Sequence, residues 1–248
     1  MTHDRLYALP RERVGDFEFD HAVVDVFPNM IARSVPGYAS ILSMIEQLTA
    51  RYVQPHTSLY DLGCSLGAAT LLMRRQAPAT CTIHAVDNSS AMIEQLNLTI
   101  AELPADPESC RLETHLADVR GFPMQDASFI VLNLTLQFIS PAERTTVIRD
   151  VYSALVPGGA VLISEKIHFD DDRQHALLTE LHHDFKRAHG YSDMEIAQKR
   201  TAIENRLIPE SLHSHVNRLT DAGFQTVAPW FQCFNFASLL AVKAEQTP

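Results

Sequence analysis

Short apolar segments alternate with longer amphipathic segments through the middle of this chain of 248 residues. The short runs end at a polar residue, and the segments that follow place apolar residues three or four positions apart. The first pattern is typical of buried strands and the second of helices that pack on one face. Strands are predicted at 58–62, 82–86, 111–115, 129–133 and 160–165, and helices at 38–52, 67–76, 90–103 and 141–156.

This alternation predicts the α/β class, with a doubly wound, Rossmann-like, mostly parallel sheet and a ligand site at the carboxyl ends of its strands. The flanking regions lack the alternation. Strands at 231–235 and 238–244 predict an antiparallel C-terminal edge, whereas 168–210 is polar, His-rich and helical with no strand signal and precedes a helix at 211–222. We therefore expect a single domain with four parts. These are a helical N-terminal arm (1–54), a cofactor-binding core (55–166), a helical lid (167–222) and C-terminal strands (223–248).

Charge and composition exclude several classes of protein. The formal net charge of -10 disfavours a direct contact with nucleic acid, which needs clustered Lys and Arg. The four cysteines are scattered without a CxxC spacing, which indicates reduced thiols inside a cell. The charged N-terminus lacks an apolar leader segment, and no run is long enough to cross a membrane, so a cytoplasmic protein is predicted.

The segment YDLGCSLG at 60–67 is a glycine-containing turn between a predicted strand and a predicted helix. Such a turn brings backbone N–H groups close to a ligand, and the helix N-terminus adds partial positive charge. Glycine also removes the Cβ that would block the approach. The turn predicts a nucleotide-like ligand.

Four polar side chains fall at successive strand ends, at Asp61, Asp87, Asp118 and Asn133. Asp87 is predicted to accept hydrogen bonds from both ribose hydroxyls, the alternative being an N-cap for the helix that follows Asn88. Asp118 suits an adenine amino group, and a loop-capping role is equally open.

Asn133 interrupts an apolar strand, which is costly unless its amide is hydrogen-bonded. A ligand contact is favoured over a structural amide. The histidines of the lid have no i, i+4 spacing with a carboxylate, so no metal site is predicted. No catalytic triad is predicted either.

The turn, the strand-end residues and the LVPGG segment at 155–159 together resemble the class I S-adenosylmethionine-dependent methyltransferases over about residues 55–165. This chain departs from them at the middle of the turn, where Cys64 and Ser65 stand in place of looser residues and a glycine. An ordinary small-molecule methyltransferase would share all of these features.

Further segments resemble the carboxy-S-adenosyl-L-methionine synthase family over nearly the whole chain. They are FPNM at 27–30, RSVPGY at 33–38, YDLGCSLGAAT at 60–70, NLTLQF at 133–138, HHDFKRA at 182–188, QKR at 198–200 and WFQCFNF at 230–236. The resemblance implies that S-adenosyl-L-methionine and prephenate are converted to carboxy-S-adenosyl-L-methionine and phenylpyruvate, and that another enzyme uses the product to modify a tRNA wobble uridine. It also implies a homodimer in which each subunit helps to complete the other's site.

The ligand contacts that the resemblance implies fall on Tyr38, Gly63, Cys64, Ser65, Asp87, Asn88, Asp118, Val119, Asn133 and Arg200. Arg200 is the one to which a catalytic role is assigned, because a guanidinium binds a carboxylate through two hydrogen bonds and a Lys cannot. By itself, the Lys199-Arg200 pair would be a solvated helix face. Two other classes stay open: an ordinary methyltransferase, and a non-catalytic S-adenosylmethionine-binding module. An NAD dehydrogenase is disfavoured because the turn lacks a full GxGxxG.

Overall fold

The computed structural model describes residues 2–9, 19–104, 106–204 and 206–245. Within them the chain forms one eight-stranded sheet with helices on both faces. The strands are β1 (Ser58–Leu62), β2 (Thr82–Asp87), β3 (Arg111–Leu116), β4 (Ala127–Asn133), β5 (Leu155–His168), β6 (Glu210–Ser211), β7 (Thr226–Cys233) and β8 (Phe236–Val242). The helices are α1 (His21–Val24), α2 (Phe27–Ser34), α3 (Tyr38–Tyr52), α4 (Ala68–Gln76), α5 (Ser90–Ala101), α6 (Pro141–Ala154), α7 (Asp172–Ala188), α8 (Asp193–Glu204) and α9 (Leu212–Ala222).

The strand order is β3-β2-β1-β4-β5-β8-β7, with β6 beside the end of β5. The first five strands of this order are parallel, and β8 pairs antiparallel with both β5 and β7. The doubly wound α/β prediction and its antiparallel edge are confirmed. The order reverses beside β1, where doubly wound folds bind their ligands.

Alternating side chains of the strands build two apolar layers. Leu59, Ile83 and Phe129 face α3 and α4, whereas Tyr60 and Ile130 face α6 and α9. β4 is buried on both faces from Ala127 to Leu132, which accounts for its continuous apolar run.

β5 begins earlier than predicted, and α6 ends earlier. α6 stops at Ala154, and Leu155 already pairs with Ala127, but the next pair along β4 is Phe129 with Ala160. The PGG segment therefore bulges out of the strand and does not end the helix. A Cβ at Gly159 would lie 2.9 Å from the Val156 carbonyl oxygen, so backbone contact requires glycine there.

The C-terminal hairpin is shifted relative to the prediction. β7 and β8 turn at Phe234 and Asn235, which the sequence pattern assigned to the end of a strand. Phe234 has a positive φ of 51°, and β7 carries a register irregularity between Pro229 and Phe231. That irregularity breaks the period of two and accounts for the wrong boundary. The two-residue strand β6 also lies at the end of a region where none was predicted.

α7 and α8 pack against the N-terminal helices across the carboxyl edge of the sheet. Arg33 on α2 donates to the His189 carbonyl oxygen at 2.7 Å. His182 on α7 bonds the Ser34 carbonyl oxygen at 2.8 Å, and Lys199 on α8 donates to the Ser34 hydroxyl at 2.9 Å. α9 packs on α6 and β7. In the described part of the chain, no helix has the length and apolar character to cross a membrane.

Glu165, at the carboxyl end of β5, fixes the loop that follows β4. Its carboxylate accepts the backbone N–H groups of Thr135, Leu136 and Gln137 at 3.1, 2.8 and 3.0 Å. The side chain is 1% exposed. Because these donors lie two to four residues after Asn133, the carboxylate helps to set the position of that strand end.

Replacing this anchor is expected to destabilise the fold. Glu165→Ala leaves three backbone donors without their acceptor, two of them in buried hydrogen bonds. Since each buried group without a partner costs about 1–3 kcal/mol, we expect at least about 2 kcal/mol lost from the free energy of unfolding. Urea denaturation followed by circular dichroism measures this, with exposed Glu180→Gln as the control. A Glu165→Ala value within about 0.5 kcal/mol of wild type, the range of ordinary surface substitutions, would contradict the anchoring role.

The same carboxyl group predicts a pH dependence of stability. Burial raises the pKa of Glu165 from its usual 4.5 to about 8, against the opposing effect of its backbone donors. The native state then holds a proton that the unfolded chain releases, so stability falls as pH rises from about 5 to 8. Glu165→Gln, which does not titrate, is expected to flatten this slope in the same denaturation series. An unchanged slope would assign it to another group.

Candidate active site

The turn after β1 is held against the end of β2 by backbone hydrogen bonds. The N–H groups of Gly63 and Cys64 donate to the Val86 carbonyl oxygen at 2.8 and 3.0 Å. The N–H of Ser65 donates to the carboxylate of Asp87 at 2.9 Å. These bonds bring Gly63, Cys64, Ser65 and Asp87 together, as the sequence predicts.

Glycine is required in this turn by the protein's own side chains. A Cβ at Gly63 would lie 2.4 Å from the Thr135 hydroxyl oxygen, and one at Gly67 would lie 2.4 Å from a Leu96 methyl carbon. Both glycines also have positive φ, of 82° and 78°. Close packing within the protein thus explains why both positions are glycine. From the sequence alone, the absence of Cβ was expected to serve the approach of a ligand. Ser65 has a positive φ of 49° at the place where related turns carry glycine.

Asp87 holds both the turn and the start of the next helix. One carboxylate oxygen accepts the Ser65 N–H, and the other accepts the Ser89 N–H at 2.9 Å. The N-cap of α5 is Ser89, whose hydroxyl accepts the Met92 N–H, so Asp87 is not the helix cap. Asn88 lies between them and is exposed. Each oxygen of Asp87 keeps a lone pair that can accept from a hydroxyl.

A second carboxylate lies below the turn. Asp61 is 1% exposed, and the Thr70 hydroxyl donates to it at 2.6 Å. Burial, and to a smaller degree the charge of Asp87, raises the pKa of Asp61 to about 6. Burial and both carboxylates raise the pKa of the Cys64 thiol as well.

Tyr38, at the first position of α3, faces the same acidic region. Its pKa is raised by burial and then by the charge of Asp61. The turn, α3 and the end of β2 thus enclose a region of negative potential. Such a region favours a ligand that carries positive charge.

Asp118 lies one strand further out, past the end of β3. It accepts from the Arg120 backbone N–H at 2.8 Å and pairs with the Arg120 guanidinium at 2.5 Å. The hydrogen bonds from Arg120 lower the pKa of Asp118. The loop-capping arrangement left open by the sequence is therefore present, while its neighbour Val119 packs against the apolar layer of α6.

Asn133 ends β4 opposite the turn. Its side-chain oxygen is buried and has no hydrogen-bond partner among the described residues. A buried amide oxygen without a partner costs free energy that a ligand donor would recover. The structural-amide alternative would require a protein donor for this oxygen.

Arg200 lies on α8, away from these residues. It is exposed and lines a surface groove of about 180 Å³ between α7 and α8, which His183, Arg187, Asp193, Ile196 and Ala197 complete. The neighbouring α8 residues Lys199 and Ala202 are buried against the N-terminal arm. The structure thus brings Gly63, Cys64, Ser65 and Asp87 together at the turn. It places Asp118 and Val119 past the end of β3, and Arg200 in this exposed groove of the lid.

Two lysines of the lid were missed by the sequence analysis. Burial, then the charges of Lys199, Lys166 and Arg200, lowers the pKa of Lys186 to about 7. Burial lowers the pKa of Lys199 to about 8, although Asp4 lies 3.9 Å from its ammonium group. The two lysines and their neighbour Lys166 come together from α7, α8 and β5, which are distant in sequence. In the sequence, only the QKR and HHDFKRA segments pointed to this group of basic residues.

Comparison with known proteins agrees with this fold. A family model described as a methyltransferase domain matches residues 59–159. The structure of a putative S-adenosyl-L-methionine-dependent methyltransferase from Methanococcus maripaludis matches with a TM-score of 0.59 at 20% identity, covering 96% of this chain and 99% of that one. The magnesium protoporphyrin IX methyltransferase of Synechocystis PCC 6803, solved with bound SAH, matches with a TM-score of 0.59 at 15% identity and 87% coverage of both chains. At these identities the likeness establishes the fold alone.

Curated relatives are much more similar. A protein of Photobacterium profundum named carboxy-S-adenosyl-L-methionine synthase is 52% identical over 241 residues, which cover 97% of this chain and 98% of that protein. One of the same name from Aliivibrio fischeri is 50% identical over the same shares of the two chains. With half of its residues identical over nearly its whole length, the chain belongs to the carboxy-S-adenosyl-L-methionine synthase family.

Proposed function

We propose that this protein converts S-adenosyl-L-methionine and prephenate into carboxy-S-adenosyl-L-methionine and phenylpyruvate. The observation that carries the proposal is the 52% identity over 97% of the chain to a relative named for this product. Another enzyme would use the product to modify a tRNA wobble uridine, so the protein itself needs no contact with nucleic acid.

The site around the turn fits the first substrate. Asp87 offers two carboxylate oxygens for ribose hydroxyls, and the unpartnered oxygen of Asn133 offers an acceptor for an N–H or O–H group. S-adenosyl-L-methionine carries a sulfonium and an ammonium group. Both suit the negative region formed by Asp61 and Asp87.

The chemistry uses the acidity of a sulfonium methyl group. Prephenate loses carbon dioxide and hydroxide as its ring becomes aromatic, which gives phenylpyruvate. The hydroxide removes a proton from the methyl group to form water, and the resulting ylide bonds to the carbon of carbon dioxide. Every atom and charge is then accounted for, and no protein nucleophile is needed.

The protein's task in this reaction is to hold the reactants together and to exclude bulk water, which would reprotonate the ylide. A cluster of apolar side chains from the arm, the lid and α5 supports this task. It includes the buried residues Val24, Met30, Met92 and Ala202, with Leu66 of the turn packed against it. The arm and the lid thus form an apolar cover beside the turn.

The lid and the end of β5 offer positive charge for an anionic second substrate. Prephenate carries two carboxylates, and burial, followed by the nearby charges of Lys199 and Lys166, lowers the pKa of Lys186. A bound dianion would offset this repulsion. We assign Lys166 and Lys186 to prephenate, because the Lys199 ammonium group already donates to Ser34 and lies 3.9 Å from Asp4.

Arg200 binds the new carboxylate of the product in this proposal. In one copy it lies in the outer groove of the lid, between α7 and α8. A homodimer in which this groove faces the partner would bring Arg200 to the partner's turn, as the family resemblance implies. The exposed Met194 in the first turn of α8 and the exposed Ile208 just beyond its end supply apolar surface for such a contact.

Ordinary methyl transfer is the second candidate, because the methyltransferase-domain match at 59–159 covers the turn and strand ends that both reactions share. The two reactions differ in the fate of the methyl group. Methyl transfer would need a nucleophilic acceptor in place of prephenate.

The product of turnover distinguishes the two candidates. Purified protein incubated with S-adenosyl-L-methionine and prephenate is expected to yield an adenosyl product heavier by one carbon dioxide, measured by mass spectrometry. Omitting prephenate is the control and should abolish the product. Release of S-adenosylhomocysteine with a methylated acceptor would instead establish methyl transfer.

Arg200→Leu is expected to remove the preference for the carboxylated ligand. A charge-assisted hydrogen bond contributes about 1.5–3 kcal/mol, so the affinity ratio of carboxylated to plain ligand should fall about 10- to 100-fold. Calorimetry on both ligands measures the ratio. Arg187→Leu, in the same groove, is the matched control and should keep it. Equal weakening of both ligands by Arg200→Leu would refute the assignment.

Asn133→Leu is expected to separate ligand binding from stability. Leucine has a similar size and removes the unpartnered oxygen, so the free energy of unfolding without ligand should stay equal or rise. The affinity for S-adenosyl-L-methionine should fall about 10-fold, the equivalent of one hydrogen bond. Denaturation and calorimetry together test this. A variant that loses stability but keeps its affinity would show that the amide is structural.

A further inference from the structure

Three side chains with metal-binding groups meet on one face of the sheet, outside the site described above. His84 lies on β2, and Glu113 and His115 lie on the adjacent parallel strand β3. In the register of the two strands, His84 stands opposite Glu113, and His115 follows two positions later on the same face. Among the residues that the structure describes, no other three His, Cys, Asp or Glu groups approach so closely.

The distances between the three ligand atoms match a small transition-metal ion. The His84 Nδ1 and His115 Nε2 atoms are 3.1 Å apart, and one Glu113 carboxylate oxygen lies 3.4 Å from the first and 3.8 Å from the second. A tetrahedral zinc ion with bonds of about 2.0–2.1 Å separates its ligands by about 3.3 Å. All three distances lie within about half an ångström of that value.

Neighbouring groups hold the three side chains in place. Tyr60 stacks on the His84 ring at 4.9 Å between centroids, and Phe122 packs beside the His115 ring at 5.1 Å. The other oxygen of Glu113 accepts from the Arg111 guanidinium at 2.7 Å, which orients the carboxylate. The side chains of His84, Glu113 and His115 are 18%, 29% and 30% exposed, which leaves an approach for an ion and a water ligand.

We propose that His84, Glu113 and His115 bind one Zn²⁺ ion, with water as the fourth ligand. Two imidazole nitrogens and one carboxylate oxygen are a ligand set that zinc accepts. The ion would tie the edge strand β3 to β2, and its ligand His115 lies three residues before Asp118. The reaction proposed above does not depend on this ion.

Cobalt titration of the full-length protein tests the site, because Co²⁺ takes the place of zinc and gives visible absorption bands in tetrahedral coordination. Protein stripped with a chelator is expected to bind one Co²⁺ per chain, and Zn²⁺ should displace it. His115→Ala should weaken binding by at least about 100-fold, more than the loss of an outer hydrogen bond to a ligand does. His213→Ala, which removes an exposed histidine elsewhere, should leave the affinity unchanged.

Glu113→Gln provides a second variant should His115→Ala disturb the edge strand. It keeps the shape of the side chain and should also weaken Co²⁺ binding, while thermal unfolding without metal stays close to wild type. Added Zn²⁺ should raise the melting temperature of the wild type but not of either variant. Weak binding at several sites, or a single site unaffected by both substitutions, would overturn the proposal.

Discussion

The site depends on the hydrogen bonds that hold the turn after β1 to the end of β2. Two N–H groups of the turn share the Val86 carbonyl oxygen, and the third, from Ser65, donates to Asp87. Asp87 also accepts from Ser89, so one carboxylate fixes the turn and the start of α5 together. A ligand that donates to this carboxylate therefore meets a preformed acceptor and need not order the chain around it.

Charges of opposite sign lie on opposite sides of the carboxyl edge. Below the turn, burial and then the charge of Asp87 raise the pKa of Asp61. In the lid, burial and then neighbouring positive charges lower the pKa of Lys186, and burial lowers that of Lys199 against the charge of Asp4. Each shift marks a charge that is less stable in the protein than in water. In the proposed function, a ligand with a cationic sulfonium group and a partner with carboxylates would relieve both.

The sequence predicted the parts that depend on local pattern. Periodicity located the core strands, and the polar residues that end them marked Asp87 and Asn133. Prediction from the sequence failed where contacts join segments that are distant along the chain. Glu165 looked like the end of a strand, yet it anchors residues 135–137, and the metal-binding cluster exists only because the register of β2 and β3 aligns its members. No spacing along one segment shows either arrangement.

Ser65 illustrates how a departure from the usual glycine is tolerated. A left-handed backbone costs a non-glycine residue about 1–2 kcal/mol, and φ at Ser65 is 49°. The hydroxyl lies 3.4 Å from the Met92 sulfur, and the N–H donates to Asp87, so contacts with α5 and β2 hold the residue in this conformation. Glycine would relax the strain but add freedom to the unfolded turn and lose the contact with Met92. Because Met92 lies on α5 and the α5 cap Ser89 lies beside Asp87, the serine couples the turn to this helix.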